Sequence, residues 1–348
     1  MIVLYSKDAH HCLYQFDVQG NFECEIELPG IGTITNLYGW HDDPKFLFEY
    51  SGFTIPRSIY EYDVQTKQLR LFKRNDVPYS FDDYETRQVF IESKDGTLIP
   101  SFIVAKKDLD RSSPHATILT GYGGFNVILS PTFRPPIIAF LEQGGIYVQA
   151  NLRGGGEYGD EWYKAGNRLH KQNSFDDFIA VAEYLCKEGL TSAKFLAISG
   201  SSHGGLLVGA VMTQRPDLFA AAIPDVGVFD MLRFQTYPGE QIYTDAYGVS
   251  SNEEDFHNLY RYSPLHNVRS RFEYPATLVR TAERDDRVSP THSYKFVARL
   301  QACQKGDKPI LLAVSMQAGH GKGLSLSRAI SKVADDFAFV LYHTNLLS

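Results

Sequence analysis

The sequence predicts an α/β protein in two parts: a mostly parallel sheet with helices on both faces, preceded by a short all-β region. Three observations carry this. Strand-like runs crowd the first 75 or so residues with no convincing helix among them. Apolar, β-branched runs then alternate with stretches of helical periodicity to the C-terminus. A G-x-S-x-G pattern sits between one such strand and one such helix.

In the first part, Met1–Tyr5, Cys12–Phe16 and Phe22–Glu27 alternate apolar with polar residues and are separated by turn signals such as Gln19-Gly20-Asn21. Thr33–Tyr38, Lys45–Tyr50, Ser58–Asp63 and Gln68–Phe72 repeat the pattern. Strands at this spacing suggest propeller blades or part of a sandwich, and two blades cannot close a ring. The character changes after Val77-Pro78. The boundary is therefore placed at 75–85, giving an all-β region over 1–80 and an α/β domain over 81–348. In the second part Ala116–Leu119, Ile146–Ala150, Phe195–Ser199, Ala276–Arg280 and Ile310–Ser315 suit buried central strands. Phe175–Cys186, Leu206–Thr213, Thr291–Gln301 and Leu326–Tyr342 carry helical periodicity.

Composition removes several classes of function. A net charge of -7 with scattered Lys and Arg gives no reason to expect nucleic acid. No run approaches the roughly 18 apolar residues of a membrane span, and Met1–Asp8 lacks the basic start and apolar core of a signal peptide. A soluble protein in the cytoplasm is expected, and the four cysteines as free thiols fit a reducing compartment. None of them forms a C-x-x-C pair or has histidine at zinc-finger spacing, so no metal is expected. His10, His11 and Cys12 are adjacent, but alternate strand residues point to opposite faces, which makes a ligand set improbable.

The G-x-S-x-G pattern is Gly200-Ser201-Ser202-His203-Gly204. Between a strand and a helix it reads as a nucleophile elbow, which places the second part in the α/β-hydrolase fold. Small residues two before and two after the serine are required because the turn is tight. The turn lifts the Ser202 hydroxyl clear of the sheet, and the backbone N–H of His203 faces the side where negative charge develops. The imidazole of His203, next in the turn, is expected to point away from the serine.

A serine hydroxyl is a weak nucleophile until a base takes its proton. The fold's chain order is serine, then acid, then histidine. Of the downstream histidines only His320 follows directly on a strand-like run, within Gln317–Gly323 (QAGHGKG). For the acid, Asp285 and Asp286 both follow the strand Ala276–Arg280, and either reaches the histidine; one of them is also a candidate cap for the helix beginning near Thr291.

These motifs, with Gly121–Asn126 (GYGGFN), Asn151–Gly159 (NLRGGGEYG), Lys171–Asp177 (KQNSFDD), Tyr262–Asn267 (YSPLHN), Asp285–Val288 (DDRV) and Ala318–Gly321 (AGHG), resemble the prolyl oligopeptidases. These are serine peptidases that pair an α/β-hydrolase domain with a β-propeller. The resemblance runs through nearly the whole chain. It implies Ser202, Asp285 and His320 as the triad, choosing Asp285 over Asp286, with Tyr122 and the N–H of His203 as the oxyanion hole. It further implies Arg287 as the binder of a substrate main-chain carbonyl and an apolar proline pocket at Phe125, Val228, Tyr243, Tyr247 and Val288. No cofactor is implied.

Two residues depart from the family pattern: the tryptophan that stacks on the substrate proline is Tyr243 here, and the residue after the nucleophile, usually asparagine, is His203. Tyrosine stacks with less area and has a hydroxyl to accommodate, so a weakened proline preference is expected. The all-β region amounts to about one and a half blades of a partial propeller, starting inside the penultimate blade. The chain is then either a fragment or a short form with an uncovered site that admits larger substrates. The expected substrate is a peptide, cleaved after proline; small acyl esters are the alternative, and an inactive binding module the second. Unpaired strand edges near the N-terminus would favour homo-oligomers.

Overall fold

The computed structural model describes residues 1–110 and 112–344. The chain opens with β1 (Ile2–Lys7), β2 (His10–Phe16) and β3 (Phe22–Ile26), an antiparallel meander. A second meander follows: β4 (Thr33–Tyr38), β5 (Lys45–Ser51), β6 (Ser58–Asp63) and β7 (Gln68–Arg74). One sheet thus has the four strands of a blade and the other has three. Leu13, Ile26, Ile34, Phe48, Tyr50, Tyr60 and Tyr62 form the core between them. The rings of Phe48 and Tyr60, directly paired across β5 and β6, stack at 5.8 Å. Near the start, the ring of His11 accepts the N–H of Ile34 at 3.0 Å, so it is a structural link between the sheets.

After a short turn at Phe81–Asp83 come β8 (Tyr84–Glu92) and β9 (Leu98–Lys106), a hairpin at the edge of the large sheet. Then follow β10 (Thr117–Gly121), α1 (Pro135–Leu141), β11 (Ile146–Ala150), α2 (Asp160–Lys164), α3 (Lys171–Lys187), β12 (Leu196–Ser201), α4 (His203–Gln214) and β13 (Ala221–Asp225). The remainder is α5 (Thr244–Tyr247), α6 (Glu253–Tyr262), β14 (Ala276–Ala282), α7 (Thr291–Cys303), β15 (Ile310–Ser315) and α8 (Leu326–His343).

The large sheet has eight strands in the order β15-β14-β13-β12-β10-β11-β9-β8. From β15 to β11 all neighbours are parallel; β9 and β8 join antiparallel. The alternation of strand side chains decides which helices cover which face. Leu119, Val148 and Ile198 pack with residues of α3, α4 and α7. Their neighbours Ile118, Tyr147 and Ala197 pack with α1 and α8 on the other side. Every residue of β11 and β14 is buried, which is why those strands read as continuous apolar runs.

The all-β region is fastened to this core. Phe53 packs on Phe102 and Tyr147, the Thr33 hydroxyl donates to Pro131 O at 2.8 Å, and the Phe133 N–H donates to the Ser51 hydroxyl at 2.9 Å. Seven elements of the second part escape the periodicity reading: β8, β9, β13, α1, α2, α5 and α6. β8 is mostly polar, β9 and β13 are each interrupted by a proline, and α2 and α5 are only five and four residues long, while α1 starts at a Pro-Pro pair, which suits the first turn of a helix.

Candidate active site

At the C-terminal end of β12 the chain turns into α4 through Ser202, whose backbone lies at φ 59°, ψ -117°. A non-glycine residue held there costs about 1–3 kcal/mol, so its surroundings must enforce it. They do: the Ser202 N–H donates to Asp225 O at 2.9 Å, and the Ser202 carbonyl accepts from the N–H groups of Gly205 and Leu206 at 2.9 and 3.1 Å. A Cβ on Gly200 would stand 2.4 Å from Gly204 O, and one on Gly205 2.5 Å from Asp225 O. The glycines are therefore consequences of how closely β12, α4 and β13 approach.

His320 projects from the loop between β15 and α8. That loop is tied to the one after β14 by Arg284 N–H donating to Ala318 O (2.9 Å) and Gln317 N–H donating to Glu283 Oε2 (2.9 Å). The result is a line of three side chains: Ser202 Oγ lies 3.0 Å from His320 Nε2, and His320 Nδ1 lies 2.7 Å from Asp285 Oδ2. The other carboxylate oxygen of Asp285 accepts the N–H groups of Arg287 (3.0 Å) and Val288 (2.9 Å). Burial opposes ionisation of Asp285. The bonds from His320, Val288 and Arg287 outweigh it and hold the carboxyl below the usual carboxylate range.

Asp286 is exposed and takes no part in this line; nor does it cap α7, whose first residue follows Pro290 with no side-chain cap. Arg287 is exposed too, and among the described residues it makes no salt bridge to Asp286; its charge instead acts on the phenols of Tyr122 and Tyr243.

Tyr122 stands in the loop after β10. Burial raises its pKa, while hydrogen bonding with Ser202 and with the His203 N–H, and the charge of Arg287, work against that rise. Its hydroxyl is therefore near both Ser202 and the His203 N–H. The ring of His203 turns inward: Nδ1 lies 2.8 Å from the Tyr247 hydroxyl and Nε2 3.1 Å from Gly123 O. Burial, with Lys171 nearby, pushes its pKa well down and keeps the imidazole neutral.

Phe125 meets Tyr243, Tyr247 and His203 edge-on, with centroids 5.4–5.7 Å apart. Val228, Tyr247 and Val288 are buried behind it. The Tyr243 hydroxyl donates to Arg287 O at 2.9 Å, so the extra polar atom is satisfied within the protein.

Residues with no role assignable from pattern form the support behind these loops. Arg153 pairs through two bonds with buried Asp177 and also reaches Asp95; Asn151 donates to Glu157 at 3.0 Å; Ser174 donates to Arg153 O at 2.6 Å. Their motifs were visible in the sequence, but a polar network whose bonds span 6 to 58 residues of chain leaves no local periodicity to read.

Two family models match: "Prolyl oligopeptidase family" over residues 131–346 and "Prolyl oligopeptidase, N-terminal beta-propeller domain" over residues 1–75. The chain belongs to the prolyl oligopeptidase family. Among its relatives, the prolyl endopeptidase of Elizabethkingia meningoseptica is 41% identical over 345 residues, covering 99% of this chain and 49% of that protein. The prolyl endopeptidase of Dictyostelium discoideum is 44% identical over 344 residues, covering 97% and 45%. Among solved family structures, one from a study of two prolyl endopeptidases superposes with a TM-score of 0.93 at 44% identity, covering 99% of this chain and 49% of that one. Prolyl oligopeptidase B of Galerina marginata, bound to a 35mer hydrolysis and macrocyclization substrate, superposes with a TM-score of 0.91 at 35% identity, covering 99% and 49%. The chain spans about half the length of the curated family members it matches. Among the described residues no helix is long and apolar enough to cross a membrane.

Proposed function

We propose that this chain is the catalytic part of a serine peptidase that hydrolyses peptide bonds on the carboxyl side of proline. The observation that carries the reading is His320, whose two ring nitrogens lie 3.0 Å from Ser202 Oγ and 2.7 Å from Asp285 Oδ2. Ser202 attacks the proline carbonyl carbon as its proton passes to His320 Nε2. Asp285 holds the Nδ1–H tautomer and stabilises the imidazolium. The Tyr122 hydroxyl and the His203 N–H receive the oxyanion. Collapse of the tetrahedral species gives the proton on His320 to the leaving amine, and water then frees Ser202 by the same steps.

Specificity comes from the neighbouring groups. Arg287, exposed beside Tyr122 and Tyr243, binds a substrate main-chain carbonyl. Phe125, Tyr243 and Tyr247 offer ring surface to the pyrrolidine, with Val228 and Val288 backing the pocket. Because Arg287 O already occupies the Tyr243 hydroxyl, that ring is free to act as an apolar wall. In this reading residues 1–80 are propeller blades and 81–348 the catalytic domain. Free thiols favour a cytoplasmic setting. Among the described residues β1 and β3 are the unpaired edges of their sheet, with Tyr5 and Phe22 exposed on them, which favours self-association of the isolated chain.

The test is hydrolysis of a fluorogenic acyl-Gly-Pro anilide alongside a short acyl ester, with fluorophosphonate labelling of the serine. Wild-type chain should cleave the anilide and take the label, and Ser202→Ala should do neither. Anilide turnover that survives Ser202→Ala refutes the assignment, and ester turnover without anilide turnover makes the chain an esterase.

A further inference from the structure

Lys171, the first residue of α3, is left unused by that scheme. Its side chain is 1% exposed, and among the described residues it makes no ion pair. Burial pushes its pKa down to about 7, offset only in part by the field of Asp177, whose own bonds go to Arg153 and Ser93. Burying an amine this way is costly, and an apolar side chain would fill the space without that cost.

What the amine touches is specific. Nζ donates to Gly123 O at 2.9 Å and lies 3.3 Å from His203 Nε2 and 3.5 Å from the Ser174 hydroxyl. The Ser174 hydroxyl reaches Gly123 O as well, at 3.3 Å. Space around that carbonyl is closed from other sides: a Cβ on Gly154 would stand 2.4 Å from it, and one on Gly124 2.5 Å from the His203 ring. Gly123 is the residue after Tyr122, and His203 is the residue after Ser202. The two oxyanion donors thus sit on separate elements, the loop after β10 and the start of α4, and a third element touches the residue that carries or adjoins each.

We propose that Lys171, seconded by Ser174, is a positioning residue of the oxyanion hole, holding the Gly123 carbonyl and the His203 imidazole at one point so that the Tyr122 hydroxyl and the His203 N–H keep a fixed spacing. The proposal rests on the reading of Ser202 as nucleophile. The carbonyl fixes the tautomer of the bridge. Gly123 O can only accept, so His203 Nε2 carries the proton and donates to it while the Tyr247 hydroxyl donates to Nδ1, and Lys171 as a neutral amine donates to Gly123 O and turns its lone pair to Nε2–H.

The test compares binding of an acyl-prolyl aldehyde with that of the matching prolinol in the full 348-residue chain. With the aldehyde, Ser202 Oγ bonds to the carbonyl carbon, its proton passes to His320, and the carbonyl π electrons become the oxyanion held in the hole. The alcohol fills the same pocket and forms no oxyanion. Lys171→Met should weaken the aldehyde 10- to 100-fold and lower kcat in parallel, with the alcohol affinity and KM within threefold of wild type. Ser174→Ala, which buries no charge, should weaken the aldehyde three- to tenfold with the alcohol unchanged. Loss of aldehyde and alcohol affinity together would mean a packing role and overturns the proposal, as does an unchanged aldehyde-to-alcohol ratio in a folded Lys171→Met. If Lys171→Met does not fold, an unchanged ratio in Ser174→Ala overturns it. A wild-type chain with no preference for the aldehyde brings down the Ser202 reading itself, a result distinct from a wild-type preference that both variants retain.

Discussion

Replacing Asp285 by asparagine should stop turnover by reversing the tautomer of His320, and the hydrogen bonds of the carboxylate say why. Oδ1 accepts two backbone N–H groups, from Arg287 and Val288, at 3.0 and 2.9 Å, while Oδ2 faces His320 Nδ1 at 2.7 Å. Asparagine has one acceptor and one donor for these two places. With its oxygen left on the backbone pair, both N–H bonds survive and its NH₂ faces Nδ1, which must then lose its proton. Flipped, it keeps the imidazole bond but sets NH₂ against two N–H groups, forfeiting two hydrogen bonds worth about 1 kcal/mol each and leaving buried donors unpaired. The first arrangement wins. Nε2 then carries the proton, points it at Ser202 Oγ, and has no lone pair to accept from the serine. A loss of about 10⁴ in kcat is expected, equivalent to about 5.5 kcal/mol of transition-state stabilisation, with KM nearly unchanged. The measurement is steady-state cleavage of an acyl-Gly-Pro anilide by Asp285→Asn and, as a control, by Asp286→Asn, which should stay within twofold of wild type. A loss below tenfold in the first, or a large loss in the second, refutes the assignment of the acid.

Two further outcomes follow from buried hydroxyl and amine groups. Tyr243→Phe should keep KM for a prolyl anilide within threefold, because the ring remains and only the bond to Arg287 O is lost; Tyr243→Ala should raise KM tenfold or more, and equal KM values in the two variants would remove the ring from the substrate pocket. For Lys171, the native pKa of about 7 lies below its ordinary 10.5, so between these values the unfolded chain binds the proton and the native chain releases it. Stability should therefore rise with pH across that window and be lost as pH falls through 7, by on the order of 2–3 kcal/mol between pH 7 and 9.5 relative to Lys171→Met, as read from urea midpoints; parallel profiles for the two proteins would contradict it.

The parts of this molecule legible in the sequence are those whose physics is local. Blade strands alternate every second residue because one face packs on its neighbour. The central strands read as apolar runs because both faces are covered, and the elbow shows because three chain segments converge where a Cβ would clash. Ser202 and His320 stand out on those grounds. The choice of Asp285 over Asp286 does not: it depends on which carboxylate turns back under its own loop to accept two N–H groups, and composition is the same either way. Periodicity alone could not single out Tyr122 or Arg287, since one tyrosine among 21 carries no pattern.

The same reasoning bears on the two departures from the family pattern, Tyr243 and His203. Each brings a polar group into an apolar setting, and each polar group is met within the protein: the Tyr243 hydroxyl by Arg287 O, the His203 ring by Gly123 O, Tyr247 and Lys171. Neither is left to seek a partner in the substrate, so neither by itself favours a polar residue over proline. The consequences differ in kind. Tyr243 alters the wall against which the pyrrolidine ring would lie. His203 alters what stands behind the proposed oxyanion donors, placing a neutral imidazole between Lys171 and Tyr247. A change in substrate preference would therefore trace to Tyr243, and a change in the rate of acyl transfer to His203.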